Sequence, residues 1–393
     1  MLEVTSIHRL NGSNGPAHDL DRGRPPCWLE VDLSRVGENV RRVRDWAGSA
    51  VSVMAIVKAD GYGLGAIGVA RTALAAGAQQ LGVARVAEGV ALREAGIQAP
   101  ILLLTGIAPQ EVEAAVATRL TVTLADQELL PALCTALTRT GERATVHLKV
   151  DTGLTRYGGR PDEVEALAAE LAGDPRIRLE GLFTHFANAE DHNSSFMQEQ
   201  LERFCRMRRS LERSGHVIPF YHAANTAATL RSRTTHLDLV RFGIGLYGSS
   251  DGVPDPEAPV LLPAVQLKAR VLRVTSVEAG TTVGYGQTFT CDAPSRLALV
   301  GAGYADGVPR ALSNRGAVLV EGGRAPIVGR VSMDQCVIDA SSIPAVRSGS
   351  EVVFYGVQGA ARLTLAEVAA VAASNEHELL CRVGARVPRV YLS

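Results

Sequence analysis

The sequence predicts an α/β protein in which a closed (β/α)8 barrel is followed by a mainly β domain. Three observations carry this. Apolar runs near 51–57, 81–84, 101–104, 121–124, 144–150, 177–184, 219–223 and 237–240 alternate with Ala- and Leu-rich helical stretches such as Glu88–Ala95, Asp162–Leu171 and Phe196–Arg213. Eight such strands favour a closed parallel barrel, although an open doubly wound sheet shares the periodicity. Polar residues collect where the runs end. After residues 250–264 (SDGVPDPEAPVLLPA), with four prolines, helical patterning gives way to short alternating runs, which sets the domain boundary there. The implied division is a polar extension over 1–27, a barrel over 28–255 and a β domain over 256–393.

Taken in order, residues 1–27 are polar and rich in Gly, Pro and Asp, without the apolar stretch of a signal peptide. Residues 28–33 (WLEVDL) alternate as a short strand, and Ser34 is placed to cap a helix whose apolar positions include Val36, Val40 and Val43. Residues 51–57 (VSVMAIV) are apolar on both faces, as in a parallel sheet, and stop abruptly at Lys58 and the turn Ala59-Asp60-Gly61-Tyr62-Gly63. In a barrel of this kind the active site is built at the strand ends. An amine leaving an apolar strand there is poorly solvated, so its pKa falls toward the range in which it attacks a carbonyl or takes a proton. A lysine that merely snorkels to water has the same sequence signature.

Later strand ends add to the same rim. The fifth run ends in Lys149-Val150-Asp151 and leads to Arg156; the sixth ends in Thr184-His185; the seventh in His222, Asn225 and Thr226; the eighth in Arg241, Gly243 and Ile244. Past the boundary, residues 265–274, 296–300 and 317–320 read as strands, with one helix near Leu365–Ala373.

Composition limits the partners. The chain has 393 residues, 46% of them hydrophobic, and a net charge of −1, which gives no electrostatic case for nucleic acid or a membrane surface. A small-molecule substrate is expected. The six cysteines show no C-x-x-C spacing, so neither a metal site nor a disulfide framework is indicated, and a cytoplasmic home is the simplest. No apolar run reaches the length of a membrane span.

The stretches V-K58-A-D-G-Y62-G-L-G, H-L-K149-V-D-T-G-L-T-R156-Y-G, T-H185-F-A, H-A-A-N225-T226-A-A-T-L, V-R241-F-G243-I244-G-L-Y247-G, G-Y285-G, G-Y304-A-D-G, V-G-R330-V-S-M333-D334-Q and R386-V-P-R389 occur in the order found in bacterial alanine racemases, and the chain resembles that family from about residue 28 onward. The resemblance implies a TIM-type barrel, pyridoxal 5'-phosphate (PLP) as cofactor, and racemisation of L- and D-alanine, with serine as a further candidate substrate, by two bases in a cytoplasmic head-to-tail homodimer that supplies D-amino acids for peptidoglycan. It makes Lys58 the PLP lysine and the base for the D-enantiomer, Tyr285 the opposing base acting across the dimer, and Arg156 the residue that holds the substrate carboxylate and eases proton loss from the phenol. It makes Arg241 the partner of the pyridine nitrogen; a guanidinium only donates, so it leaves that nitrogen unprotonated. Tyr62, Thr226 and the N–H groups of Gly243 and Ile244 form the phosphate cradle, while His185 and Asn225 order the cofactor's surroundings. Lys149 matches a lysine carried as a carbamate. Met333 and Asp334 match a loop that reaches the substrate site across the dimer.

The sequence also departs from the family. Leu64 and Ser332 stand where histidine and cysteine are frequent, and His377 stands where a tyrosine usually narrows the entrance and reaches the phosphate, which implies wider tolerance of the substrate side chain. Two rival classes fit less well. A PLP decarboxylase of basic amino acids would place an acid at Arg241 and a reactive cysteine in its β domain, and a single-barrel PLP carrier would have no use for residues 265–393.

Overall fold

A computed structural model describes residues 25–393, so most of the expected extension lies outside the described residues. The chain begins with β1 (Cys27–Asp32) and the helix Leu33–Ala47, which buries Val36, Val40, Val43 and Trp46 at helical spacing. Asp32, not Ser34, caps this helix: its carboxylate accepts the Arg35 N–H at 3.0 Å, and the Ser34 hydroxyl donates to the same carboxylate. Aspartate at that position satisfies an otherwise orphaned donor.

The eight expected barrel strands follow: β2 (Ser52–Ile56), β3 (Gln80–Val83), β4 (Ile101–Leu103), β5 (Val122–Leu124), β6 (Ala144–Lys149), β7 (Ile177–Phe183), β8 (Phe220–His222) and β9 (Leu239–Phe242). They pair in parallel as β4-β3-β2-β9 and β5-β6-β7-β8. Two seams close the ring. At one, Leu103 N–H reaches Thr121 O at 3.0 Å and Thr121 N–H reaches Ile101 O at 2.8 Å; at the other, Arg241 N–H reaches Ala224 O at 3.0 Å. Val53 to Val57 are all at most 5% exposed, which explains the unbroken apolar run: the strand faces the barrel interior on one side and helices on the other.

The later strands are β10 (Val265–Val277), β11 (Thr282–Val283), β12 (Phe289–Thr290), β13 (Ser295–Val300), β14 (Ala317–Val320), β15 (Gly323–Val328), β16 (Cys336–Asp339), β17 (Glu351–Gln358), β18 (Ala361–Leu363) and β19 (Arg389–Leu392). Apart from the β11–β12 hairpin, they build a nine-stranded sheet in the order β18-β17-β14-β15-β16-β13-β10-β1-β19, and an added β10–β17 pairing closes part of it into a ring. The expected barrel segment therefore loses its first strand. Residues 28–32 pair antiparallel with β10 and parallel with β19, so the chain starts in the β sheet and only then enters the barrel. The β region also holds a second helix, Glu376–Cys381, beyond the expected one at Leu365–Val371. Among the described residues no helix is long and apolar enough to cross a membrane.

Candidate active site

The site starts at the end of β2. After Lys58 the backbone turns left-handed through Ala59, Asp60, Gly61 and Tyr62, with φ of 52°, 54°, 63° and 61°. Three of these four are not glycine, and the conformation costs L-residues about 1–2 kcal/mol each. Contacts from distant elements offset that strain. Glu88 accepts the Ala59 N–H at 2.6 Å, Asp60 accepts the Ala66 N–H at 2.8 Å, and the Tyr247 hydroxyl donates to Gly61 O at 2.7 Å. Arg389 Nε donates to Gly63 O and the Tyr391 hydroxyl to Leu64 O, both at 2.9 Å, so β19 braces the turn from the β domain.

The turn carries Tyr62 toward the end of β9. A Cβ on Gly243 would lie 2.4 Å from the Tyr62 hydroxyl oxygen, so only glycine fits there. Burial pushes the Tyr62 phenol's pKa well up and keeps it an O–H donor. Thr226 Oγ1 accepts the N–H groups of Gly243 at 3.1 Å and Gly245 at 3.4 Å, so what its hydroxyl still offers is its own hydrogen. Ile244 is buried beside them. Asn225 caps the short helix Thr226–Arg231 through its Oδ1, which orders Thr226 rather than facing the cradle.

Four cations act on one another next to this cradle: buried Lys149 and Arg241, half-buried Lys58 and exposed Arg156. Lys149 is 5% exposed, donates to Leu104 O at 3.2 Å, and has its Nζ 5.1 Å from the centre of the Phe183 ring. Burial, then the charges of Arg241, Arg156 and Lys58, bring its pKa down to about 7. Burial and Arg156 lower that of Lys58 as well. Arg241 is 4% exposed and donates to the carbonyls of Thr184 and Ala223, both at 2.8 Å, and to ring nitrogens of His222 at 3.0 Å and His185 at 3.1 Å. Burial lowers its pKa to about 9, so it remains a cation at neutral pH. His185 accepts from it and is held neutral by burial and by that charge. Among the described residues no carboxylate pairs with Lys58, Lys149, Arg156 or Arg241. Such a pocket calls for anions, and a phosphate, a substrate carboxylate and a carbamate would each supply one.

His377 lies at the mouth, its ring centre 5.6 Å from that of Tyr62 and its Nδ1 3.8 Å from Asp251 Oδ1. The chain thus gathers Lys58, Tyr62, Lys149, Arg156, His185, Thr226, Arg241, Gly243, Ile244 and His377, with Asn225 behind them. Tyr285, Met333 and Asp334 are elsewhere. Tyr285 is 74% and Met333 53% exposed on the β domain, and no hydrogen bond, ion pair or ring contact joins them to the Lys58 pocket. The Met333–Asp334 loop is tied down by Arg386, which binds Asp334 at 2.7 Å and Asp306 at 2.8 Å. The Met333 carbonyl accepts from Ala305 N–H at 2.9 Å. Sequence reasoning assigned no role to Glu88, Tyr247 or Arg389; each acts on backbone far away in sequence, which spacing does not encode.

Known proteins settle the relationship. Residues 31–251 match the alanine racemase N-terminal domain and residues 264–391 the alanine racemase C-terminal domain. The chain belongs to the alanine racemase family. It is 42% identical to the alanine racemase of Desulforamulus reducens over 94% of this chain and 100% of that one. The alanine racemase structure from the D-cycloserine producer Streptomyces lavendulae superposes with a TM-score of 0.87 at 37% identity, covering 94% of this chain and 98% of that one. A further alanine racemase, from Bartonella henselae and described with covalently bound pyridoxal phosphate, superposes with a TM-score of 0.84 at 28% identity, covering 94% and 100%.

Proposed function

We propose that this chain is a PLP-dependent racemase that interconverts L- and D-alanine, with a second copy of the chain completing each site. The observation that carries the reading is the half-buried Lys58 amine, its pKa lowered by desolvation and by neighbouring cations, beside a cradle of neutral donors that suits a phosphate. Bound there, PLP supplies the electron sink that makes the substrate Cα–H acidic. The chain does the rest. Tyr62, Thr226 and the Ile244 N–H would hold the phosphate, with the Gly243 N–H, which here donates to Thr226 Oγ1, able to turn to it, and Lys58 would provide the covalent link. Arg241, able only to donate, would leave the pyridine nitrogen without a proton and temper the sink, which would favour returning a proton to Cα over side reactions. The Lys58 amine, when not linked to the cofactor, would serve the D-enantiomer's proton on one face. Tyr285 of a second copy serves the L-enantiomer's on the other. Its exposure in a single chain, away from any use in its own pocket, supports a head-to-tail dimer. Arg156 holds the substrate carboxylate.

Lys149 fits as a carbamate. Its neutral amine attacks carbon dioxide, an N–C bond forms, a proton leaves, and the anion balances Arg156 and Arg241. Because the amine's pKa is about 7, it is protonated and unreactive below that pH and free above it. Enzyme exchanged into 13C-bicarbonate above pH 7 is expected to show one carbamate signal that Lys149→Ala lacks and that acidification weakens. An unlabelled wild type would remove the carbamate from the site.

The functional test is turnover of a panel of L-amino acids followed by chiral chromatography: alanine should reach equal amounts of both enantiomers. The panel also tests the entrance. An imidazole at 377 is shorter than a phenol, and one methylene-sized group in a pocket is worth about 1–3 kcal/mol of discrimination. His377→Tyr should therefore lower the ratio of kcat/KM for serine to that for alanine by roughly tenfold. An unchanged ratio with PLP still bound would assign the tolerance elsewhere.

A further inference from the structure

The barrel interior beneath Arg241 holds a row of buried polar side chains that the proposed reaction does not use. β6 and β7 pair as Thr145↔Arg178 and Val146↔Leu179, and then the register slips so that His147 faces Gly181. The residue left over is Glu180. A bulge of this kind re-aims a side chain, and Glu180, only 8% exposed, has its Oε2 3.4 Å from His147 Nε2. Gly181 makes the room. A Cβ there would sit 2.4 Å from His147 Nδ1. His147 Nδ1 is in turn 3.0 Å from His222 Nε2, and His222 Nδ1 is 3.0 Å from Arg241. Both histidines are fully buried, and His222 stacks on Phe183 with ring centres 4.7 Å apart.

The ends of this row dictate every proton in it. A guanidinium has only donors, so His222 Nδ1 accepts and its hydrogen sits on Nε2. That hydrogen is donated to His147 Nδ1, which leaves the His147 hydrogen on Nε2, facing the carboxylate of Glu180. Burial lowers the pKa of both rings and favours their neutral forms; the Arg241 charge acts in the same direction, and for His147 the Glu180 carboxylate acts against it without reversing the shift. Reversing either tautomer would set two N–H groups against each other, at Arg241 or between the rings.

We propose that Glu180 is a positioning residue for the racemase: through His147 and His222 it fixes the tautomer that accepts from Arg241, and so fixes the guanidinium at the pyridine end of the cofactor site. This rests on the PLP reading for its consequence, but the tautomers are a property of the protein alone. Arg178, 2.6 Å from Glu180 at the solvent end, keeps the carboxylate's other oxygen occupied. Replacing the carboxylate by an amide removes the constraint at this end, because an amide either accepts from His147 or donates to it, and leaves the Arg241–His222 hydrogen bond alone to oppose the reversed row.

The test is 15N NMR of histidine-labelled enzyme with and without PLP, assigned with His147→Gln. Wild type is expected to show both His147 and His222 as the single Nε2–H tautomer in both forms. Glu180→Gln should show mixed tautomers, a shifted visible absorption of bound PLP, and a kcat about tenfold lower with KM little changed, as the loss of one charged hydrogen bond's alignment predicts. Glu180→Asp should recover part of all three. Either histidine protonated on Nδ1 in wild type overturns the proposal even if the variants do not fold. Unchanged tautomers and absorption in a folded Glu180→Gln enzyme overturn it too. Absence of alanine turnover in wild type would instead strike the functional reading and leave the tautomer result standing.

Discussion

Lys58→Ala is expected to yield a folded protein that holds no cofactor covalently and racemises neither enantiomer. Removing a general base alone costs about 10²–10⁴ in rate, and this change also removes the covalent link, so the loss should exceed that range. The chain has three lysines, Lys58, Lys149 and Lys268, which makes the check unusually direct. Lys268 is committed to ion pairs with Glu30 at 3.0 Å and Glu351 at 3.2 Å. Lys149 donates to the backbone carbonyl of Leu104, just past the end of β4. Borohydride reduction of the PLP-loaded wild type should fix the label on the peptide that contains Lys58. Label on Lys149 or Lys268 would refute the assignment.

Tyr285→Phe should affect the two directions unequally. A racemase needs a base on each face of one planar centre, because a single base tends to return the proton to the face it left. Without the phenol, proton abstraction from L-alanine should fall by about 10²–10⁴ while abstraction from D-alanine by Lys58 is far less affected. Exchange of the Cα proton in deuterated solvent, followed separately from each enantiomer, reads this asymmetry. Equal slowing in both directions would mean that Tyr285 does not serve one face.

Much of this was legible in the residues, and the failures have physical causes. The barrel strands were readable because a strand buried on both faces is an unbroken apolar run, as Val53–Val57 is. The rim was readable because Lys58, Lys149, Arg241 and their neighbours interrupt such runs at the same end. Pairing partners were not readable: the alternation over 28–32 shows a strand, but its sheet is decided by β10 and β19, more than two hundred residues away. The left-handed turn after Lys58 was equally hidden, since three of its four residues are not glycine and the contacts that hold it come from Glu88, Tyr247, Arg389 and Tyr391. The bulge at Glu180 is a matter of register, which the pattern 177–183 does not carry. The helix over Glu376–Cys381, less than two turns long, is too short for periodicity to reveal, yet it places His377 at the mouth.

The central claim is that Lys58 of one chain and Tyr285 of another act on the same substrate carbon. Mixing Lys58→Ala and Tyr285→Phe chains under conditions that exchange subunits tests it most directly. Each homodimer lacks one base in both of its sites. In the mixed dimer, one site combines the intact Lys58 of one chain with the intact Tyr285 of the other, while its second site lacks both. The account predicts that racemase activity, nearly absent from either homodimer, reappears on mixing toward half the wild-type value per mixed dimer. Mixed dimers that form, bind PLP and remain inactive would contradict it.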